Sequence, residues 1–226
     1  MAPPSQGAQG AVCQACSLQR CAPGSIRTSH SWNGGICGIV SRKDDLYTLP
    51  KDLPVPLDDG FCAHLTGMKL PAVGLQSTEG RTVYLADLPG RTVVYCYPRT
   101  GTPDRDPPRG WNEIPGARGC TPQALAFRDH HKEFRSLGAT VFGLSTQTMQ
   151  YQQEAVERLK LPFELLSDAE LVFTKALKLP TFEVEGMTLL KRVTLIIFEG
   201  RIEKVFYPVF PPHQNALEAI KWFTRR

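Results

Sequence analysis

Hydrophobic and polar positions keep no lasting period over the first part of the chain and become regular from residue 67 onward. Residues 1–45 are rich in Ala, Gly, Ser, Gln and Pro, a composition that predicts a disordered extension. Residues 46–66 carry several Pro and Asp residues and are predicted to form an extended arm. The patterned part, residues 67–226, is expected to be one folded domain.

Strand and helix periods succeed one another within this domain. The pattern predicts strands at 82–88, 91–98, 139–145, 163–166, 188–198 and 201–209, and helices at 121–137, 148–161, 169–179 and 215–223. Pro89-Gly90 and Glu199-Gly200 are predicted turns between neighbouring strands. This order predicts an α/β fold with a central mixed β-sheet flanked by helices, in which parallel crossovers come early and a hairpin comes late.

Composition and charge exclude several classes of partner. The formal net charge is only +4, and Lys and Arg are scattered, so we expect no nucleic-acid partner. No apolar run approaches the roughly 20 residues of a membrane span, so we expect no membrane partner. Because the chain does not begin with a charged segment followed by an apolar one, no secretory signal is predicted and a cytoplasmic location is expected.

Cysteine usage points to reactive or buried thiols. The chain has seven Cys residues, unevenly spread, which argues against a secreted disulfide framework. Zinc binding would be one reading of the cluster Cys13, Cys16, Cys21, His30 and Cys37. A structural zinc site has two tight ligand pairs, however, and only one is present. We therefore interpret these residues as incidental thiols and expect neither a metal nor a cofactor.

A long segment without regular pattern separates Pro98 from Cys120. Long irregular segments inside compact domains are often functional, and this one joins a strand to a helix, where sites of open α/β sheets lie. Thr121 can cap a helix and Pro122 suits the first helical turn. A thiol at that position is stabilised as the thiolate by the helix dipole and free N–H groups. On spacing alone, a reactive role and inert packing both remain open.

Two segments, TVVYCYPRTGTP and GCTPQALAFRD, resemble the peroxiredoxins, most closely the bacterioferritin-comigratory or Q-type branch. In that family a strand ends in Tyr-Pro and a Pro-x-x-x-Thr-x-x-Cys signature follows. Pro98 and Thr102 match its proline and threonine, and Cys120 matches its peroxidatic cysteine. Farther on, KRVTLI resembles the family's Arg-x-Thr-Phe strand, so Arg192 matches its active-site arginine. The resemblance covers residues 67–226 and implies a thioredoxin-like fold.

The resemblance implies a thiol-dependent peroxidase that reduces hydrogen peroxide and organic hydroperoxides. Cys120 would attack as the thiolate and become a sulfenic acid. Arg192 would stabilise the thiolate and the leaving oxygen, Thr102 would orient the peroxide, and Pro98 would shape and shield the pocket. A thioredoxin- or glutathione-type thiol would be the reductant, and the protein would be a monomer or homodimer.

An insertion, residues 104–118, interrupts the signature between its threonine and its cysteine. We expect it to bulge outward as a surface loop, because extra loop length costs little free energy. Thr102 would then still face Cys120. Arg118 is an alternative donor to the peroxide, and Trp111 is expected either to pin the loop to the domain or to cover the pocket.

The residue five positions beyond Cys120 is Leu125, where many Q-type relatives carry a resolving cysteine. Cys96 lies in an apolar strand and is expected to be packing. Cys62 is a possible resolving residue, since an arm can move. We expect a single-cysteine enzyme that is recycled by an external thiol.

Two classes of function remain at this stage. One is the peroxidase, and the other is a thioredoxin-fold redox sensor or binding module without peroxidase activity. The insertion and Leu125 motivate the second. The joint presence of Cys120, Thr102 and Arg192 favours the first, since a scaffold does not need all three. A disulfide reductase is the weakest reading, because Cys120 has no Cys-x-x-Cys partner.

Overall fold

The computed structural model describes residues 45–225. The predicted extension therefore lies outside the described residues except for its last position, and so do the cysteines and histidine at 13–37. The strands are β1 (Gly74–Ser77), β2 (Thr82–Tyr84), β3 (Arg91–Cys96), β4 (Ala139–Ser145), β5 (Leu165–Ser167), β6 (Thr181–Val184), β7 (Met187–Leu190), β8 (Val193–Phe198) and β9 (Arg201–Phe206). The helices are α1 (Cys120–Asp129), α2 (His131–Ser136), α3 (Met149–Leu159), α4 (Val172–Leu177) and α5 (Asn215–Thr224), with 3₁₀ turns at Leu85–Asp87 and Pro212–Gln214.

The main sheet has seven strands in the order β2-β1-β5-β4-β3-β8-β9, and β6 and β7 form a separate hairpin. Central strand β3 pairs in parallel with β4 and antiparallel with β8, and β8 and β9 form an antiparallel pair. The predicted mixed sheet, with an early parallel crossover and a late hairpin, is confirmed.

Alternating side chains of β3 feed two separate hydrophobic layers, as strand geometry requires. Val94 and Cys96 lie in the layer that also contains α4 residues. Val93 and Tyr95 lie in the layer formed with α1, α2, α3 and α5. The Tyr95 ring stacks on Phe127 of α1 with centroids 4.4 Å apart. This stacking fixes α1, and hence its first residue, against the end of β3.

One predicted helix and one predicted strand are each split into two shorter elements in the structure. The predicted helix 121–137 is broken at His130, whose φ of −95° and ψ of 8° are not helical, although neither Gly nor Pro marks the break. The predicted strand 188–198 contributes first to β7 and, after Lys191-Arg192, to β8. Strands β1 and β6, of four residues each, were not predicted.

The segment 46–66 contains neither helix nor strand. Its side chains Leu46, Cys62 and Leu65 are nevertheless buried, so the segment packs against the domain. Among residues 45–225, no helix is long and apolar enough to cross a membrane.

The hairpin turns at Gly200 and Gly186 allow a matched test of backbone packing. Both glycines have positive φ, 72° and 74°, so alanine at either site costs about 1 kcal/mol of backbone strain. A Cβ at Gly200 would lie 2.4 Å from the Ala86 carbonyl oxygen, whereas nothing lies within 4 Å at Gly186. We expect Gly186→Ala to lower the free energy of unfolding by about 1 kcal/mol and Gly200→Ala by about 3 kcal/mol in urea titrations. Equal losses would contradict this packing.

Candidate active site

Cys120 is the first residue of α1. Gly119 holds the preceding N-cap position with a φ of 104°, and a Cβ there would lie 2.5 Å from Pro212 Cγ. The helix therefore begins one residue before Thr121, and a glycine takes the N-cap position instead of a Thr side chain. The expectation that the thiol lies in or just before the first helical turn is confirmed. At this position the helix dipole favours a negatively charged sulfur.

Sheet topology brings Arg192 to Cys120 from 72 residues away. Arg192 directly precedes β8, and Val193 pairs with Cys96 at the end of β3. The start of β8 therefore lies beside the end of β3, where α1 also begins. The Arg192 Nη2 atom is 3.2 Å from the Cys120 Sγ atom. A cation at this distance stabilises negative charge that develops on the sulfur during a reaction.

Backbone carbonyls of the insertion hold the Arg192 guanidinium in place. The carbonyl oxygens of Gly116, Ala117 and Arg118 lie 3.3, 3.2 and 3.3 Å from its Nη2 atom and share the two N–H donors of that atom with the Cys120 sulfur. The Cys120 sulfur lies 3.6 Å from the Ala117 oxygen. The insertion therefore holds the arginine through its backbone carbonyls, a role that the sequence did not reveal.

A buried amide network fixes the other side of the guanidinium. Arg192 Nη1 donates to Gln123 Oε1, and Gln123 Nε2 donates to Asn215 Oδ1 at 2.9 Å. The same Asn215 oxygen accepts from Thr194 Oγ1 at 2.7 Å. Because the Asn215 oxygen can only accept, Gln123 must turn its own oxygen toward Arg192. Sequence reasoning missed both amides. Gln123, three residues beyond Cys120 on the same helix face, carried a detectable signal, whereas Asn215 carried none.

The Cys120 sulfur opens into a cavity of about 20 Å³, room for one or two water-sized groups. Thr102 lines the same cavity, so the structure brings the predicted threonine and cysteine together. Thr100, which was not predicted, and Arg118 also line it. Pro98 is buried but is not among the lining residues. Its carbonyl oxygen accepts from Ser145 Oγ at 3.0 Å, so it supports the strand end.

The insertion bulges outward over only part of its length. Residues 104–106 are exposed, but the chain then doubles back and buries Trp111 and Ala117. Trp111 packs on Phe182 of β6 with ring centroids 6.1 Å apart. The prediction of a surface loop is therefore wrong for the part of the insertion that contains Trp111 and Ala117. The apolar side chains of this part are buried against the β6–β7 hairpin. Trp111 pins the segment and also lines the Cys120 cavity.

Cys62 does not lie near Cys120. It is buried together with Cys96 in the α4 layer, whereas Cys120 belongs to the opposite layer. Burial, together with the nearby carboxylates of Asp59 and Asp58, raises the pKa of the Cys62 thiol to about 12. Cys62 is therefore protonated at neutral pH and a poor nucleophile. The structure does not bring this possible resolving residue to the site.

A family model described as Redoxin matches residues 65–220. The chain belongs to the redoxin family. Its similarity to peroxiredoxin Q from Sedum lineare is 32% identity over 170 residues, covering 74% of this chain and 82% of that protein. Its similarity to peroxiredoxin Bcp from Bacillus subtilis is 33% identity over 143 residues, covering 61% and 82%. These relatives place the chain among the Q/Bcp-type peroxiredoxins and confirm the expected enzyme class, a thiol peroxidase.

The solved structure of peroxidoxin BcpB from Mycobacterium tuberculosis aligns with a TM-score of 0.59 and 25% identity. The alignment covers 72% of this chain and 98% of that one. The expected thioredoxin-like fold is thereby confirmed.

The amide network generates a prediction for Gln123, which we interpret as a positioning residue. Gln123→Met removes the acceptor of Arg192 at nearly constant volume. A hydrogen bond to a charged group contributes about 1.5–3 kcal/mol, so the rate constant for hydrogen peroxide should fall on the order of tenfold. Competition kinetics would measure it. Gln152→Met is the matched control, since Gln152 is equally buried but bonds to Tyr97. If both variants lose the same activity, the network does not position Arg192.

Proposed function

We propose that this peroxiredoxin reduces hydrogen peroxide and organic hydroperoxides at Cys120. One observation carries the proposal: the buried Arg192 guanidinium lies 3.2 Å from the Cys120 sulfur at the start of α1. The sulfur also lines a small cavity with Thr102. A cation, a helix terminus and access for a small molecule are what a thiol needs to attack a peroxide.

In the first half-reaction the Cys120 thiolate attacks one oxygen of the peroxide. An S–O bond forms, the O–O bond breaks, and its electron pair leaves with the second oxygen, which takes up a proton to become water or an alcohol. The sulfur is oxidised to a sulfenic acid. Arg192 stays charged and stabilises the negative charge on the leaving oxygen, while the Thr102 hydroxyl orients the peroxide for in-line attack.

In the second half-reaction an external thiol reduces the sulfenic acid. Its sulfur bonds to the Cys120 sulfur and water leaves, and a second thiol then displaces Cys120 and forms a disulfide with the first. Leu125 stands at the position of the family's resolving cysteine. Within residues 45–225, Cys62 and Cys96 are the other cysteines, and both lie in the opposite layer. These placements support a thioredoxin- or glutathione-type reductant.

Two further expectations accompany the proposal. The protein acts as a monomer or homodimer, and it acts in the cytoplasm. The Sedum lineare relative is described as chloroplastic, so family membership does not decide the compartment.

A matched pair of cysteine variants tests the assignment of the nucleophile. Cys120→Ala should reduce dithiothreitol-dependent peroxide consumption to the uncatalysed rate, because no other described thiol is activated. Cys62→Ala removes an equally buried thiol and should keep most of the activity while lowering the free energy of unfolding. Peroxide consumption is followed by a colorimetric assay. Full activity in Cys120→Ala would show that the site is elsewhere.

Intact-mass analysis after brief peroxide treatment tests the mode of recycling. With an external reductant, the protein should gain one oxygen atom. Loss of two hydrogen atoms would instead reveal an internal disulfide and contradict the single-cysteine mechanism. If an internal disulfide forms, a variant with Ser at Cys13, Cys16, Cys21 and Cys37 tests whether one of these four cysteines is the partner of Cys120. In that case the variant should again gain one oxygen atom instead of losing two hydrogen atoms.

A further inference from the structure

A second cleft adjoins the Cys120 cavity, and the two meet at Arg99 and Tyr151, which line both. We call this second space the Arg99 cleft, and its remaining wall includes Gln147, Thr148, Met187 and Leu189. The cavity at the sulfur has about 20 Å³, whereas the cleft has about 420 Å³. A reactant larger than hydrogen peroxide must therefore leave most of its body outside the cavity. The Arg99 cleft is an adjoining space of the right size.

The charge of Arg99 faces this cleft and has no counter-ion within the described residues, 45–225. Its Nε donates to the Tyr151 hydroxyl at 3.3 Å, its Nη1 lies 3.8 Å from Met187 Sδ, and the guanidinium lies over the Tyr151 ring. Among residues 45–225, no carboxylate lies within ion-pair distance of Arg99, and no Asp or Glu lines the cleft. The cleft is therefore a site of positive potential.

Helix α3 supplies further donors on the same side. It begins after Thr148, whose side chain makes no capping bond, so this side chain does not occupy the first-turn N–H groups. Gln147 is only 8% exposed. Its Oε1 accepts from the Thr100 N–H at 3.1 Å, which leaves Nε2 as a buried donor with no acceptor among residues 45–225. A buried donor without an acceptor is costly, and Gln147 is one of the residues that line the cleft.

We propose that the Arg99 cleft binds the carboxylate of a small molecule whose reactive end enters the Cys120 cavity. Arg99 binds a carboxylate through paired N–H donors, and the start of α3 stabilises the negative charge. The inference rests on the proposed peroxidase function and deepens it. The carboxylate belongs either to the thiol that reduces the sulfenic acid or to the hydroperoxide itself, and the two sources are separated by experiment.

The thiol is tested by comparing glutathione, which carries two carboxylates, with neutral dithiothreitol at fixed hydrogen peroxide concentration. If the reductant is the source, Arg99→Gln should lower the ratio of kcat/KM for glutathione to kcat/KM for dithiothreitol on the order of tenfold. Arg135→Gln removes the same charge from an exposed position outside both cavities and should leave the ratio unchanged.

The peroxide is tested by comparing linoleic acid hydroperoxide with its methyl ester, with dithiothreitol as reductant. If the peroxide is the source, Arg99→Gln should lower the acid-to-ester ratio of kcat/KM by a similar factor, and Arg135→Gln should not. A fall in either ratio supports the carboxylate site and identifies its ligand. Unchanged ratios in both comparisons overturn it.

Direct binding separates this inference from the proposed function. Calorimetric titration with S-methylglutathione, which cannot react, and with linoleic acid measures the site without turnover. If Arg99→Gln weakens the binding of one probe on the order of tenfold, the result supports the carboxylate site. This conclusion holds even if the wild type consumes no peroxide. Absence of binding by both probes overturns it, and loss of peroxide consumption alone overturns only the peroxidase.

Discussion

The contact between the Arg192 guanidinium and the Cys120 sulfur is the constraint on which the rest of the site depends. Arg192 is only 3% exposed, and burying an ion costs several kcal/mol unless it is paired and hydrogen-bonded. The surrounding structure offsets this cost with backbone carbonyls on one amino group and the Gln123 oxygen on the other. The charge is thereby kept ready beside the sulfur, and no reorganisation is needed when the thiolate forms.

Segments outside the regular sheet complete this environment. The insertion supplies the carbonyls that hold Arg192, and Trp111 secures it against the β6–β7 hairpin. The arm contributes Leu46 to the cavity wall, and Arg118 donates to the Asp45 carbonyl. The sheet therefore fixes where the sulfur and the guanidinium meet, while the insertion and the arm determine how much space remains above them.

Sequence reasoning succeeded where the signal is local or carried by a family motif. The start of α1 lies one residue before the predicted helix, which Thr121 and Pro122 indicated, and the β8–β9 hairpin follows from two apolar strands around a turn. The direction of the insertion was missed, because its burial depends on Trp111 meeting a hairpin that is distant in sequence. The Gln123–Asn215 bond joins α1 to α5, and no period along the chain encodes such a pairing.

The burial of Cys120 limits how a reducing thiol can reach its sulfur. Cys120 is 4% exposed, so a thiol can reach its sulfenic acid only through the cavity or after the start of α1 unwinds. Unwinding is opposed by the close packing around Gly119, where even a Cβ would lie 2.5 Å from Pro212 and 2.7 Å from Leu49. A protein reductant, whose thiol projects from a broad surface, needs that opening, whereas a small thiol does not. A protein reductant would therefore have to displace the packing of the arm and of the 3₁₀ turn against Gly119.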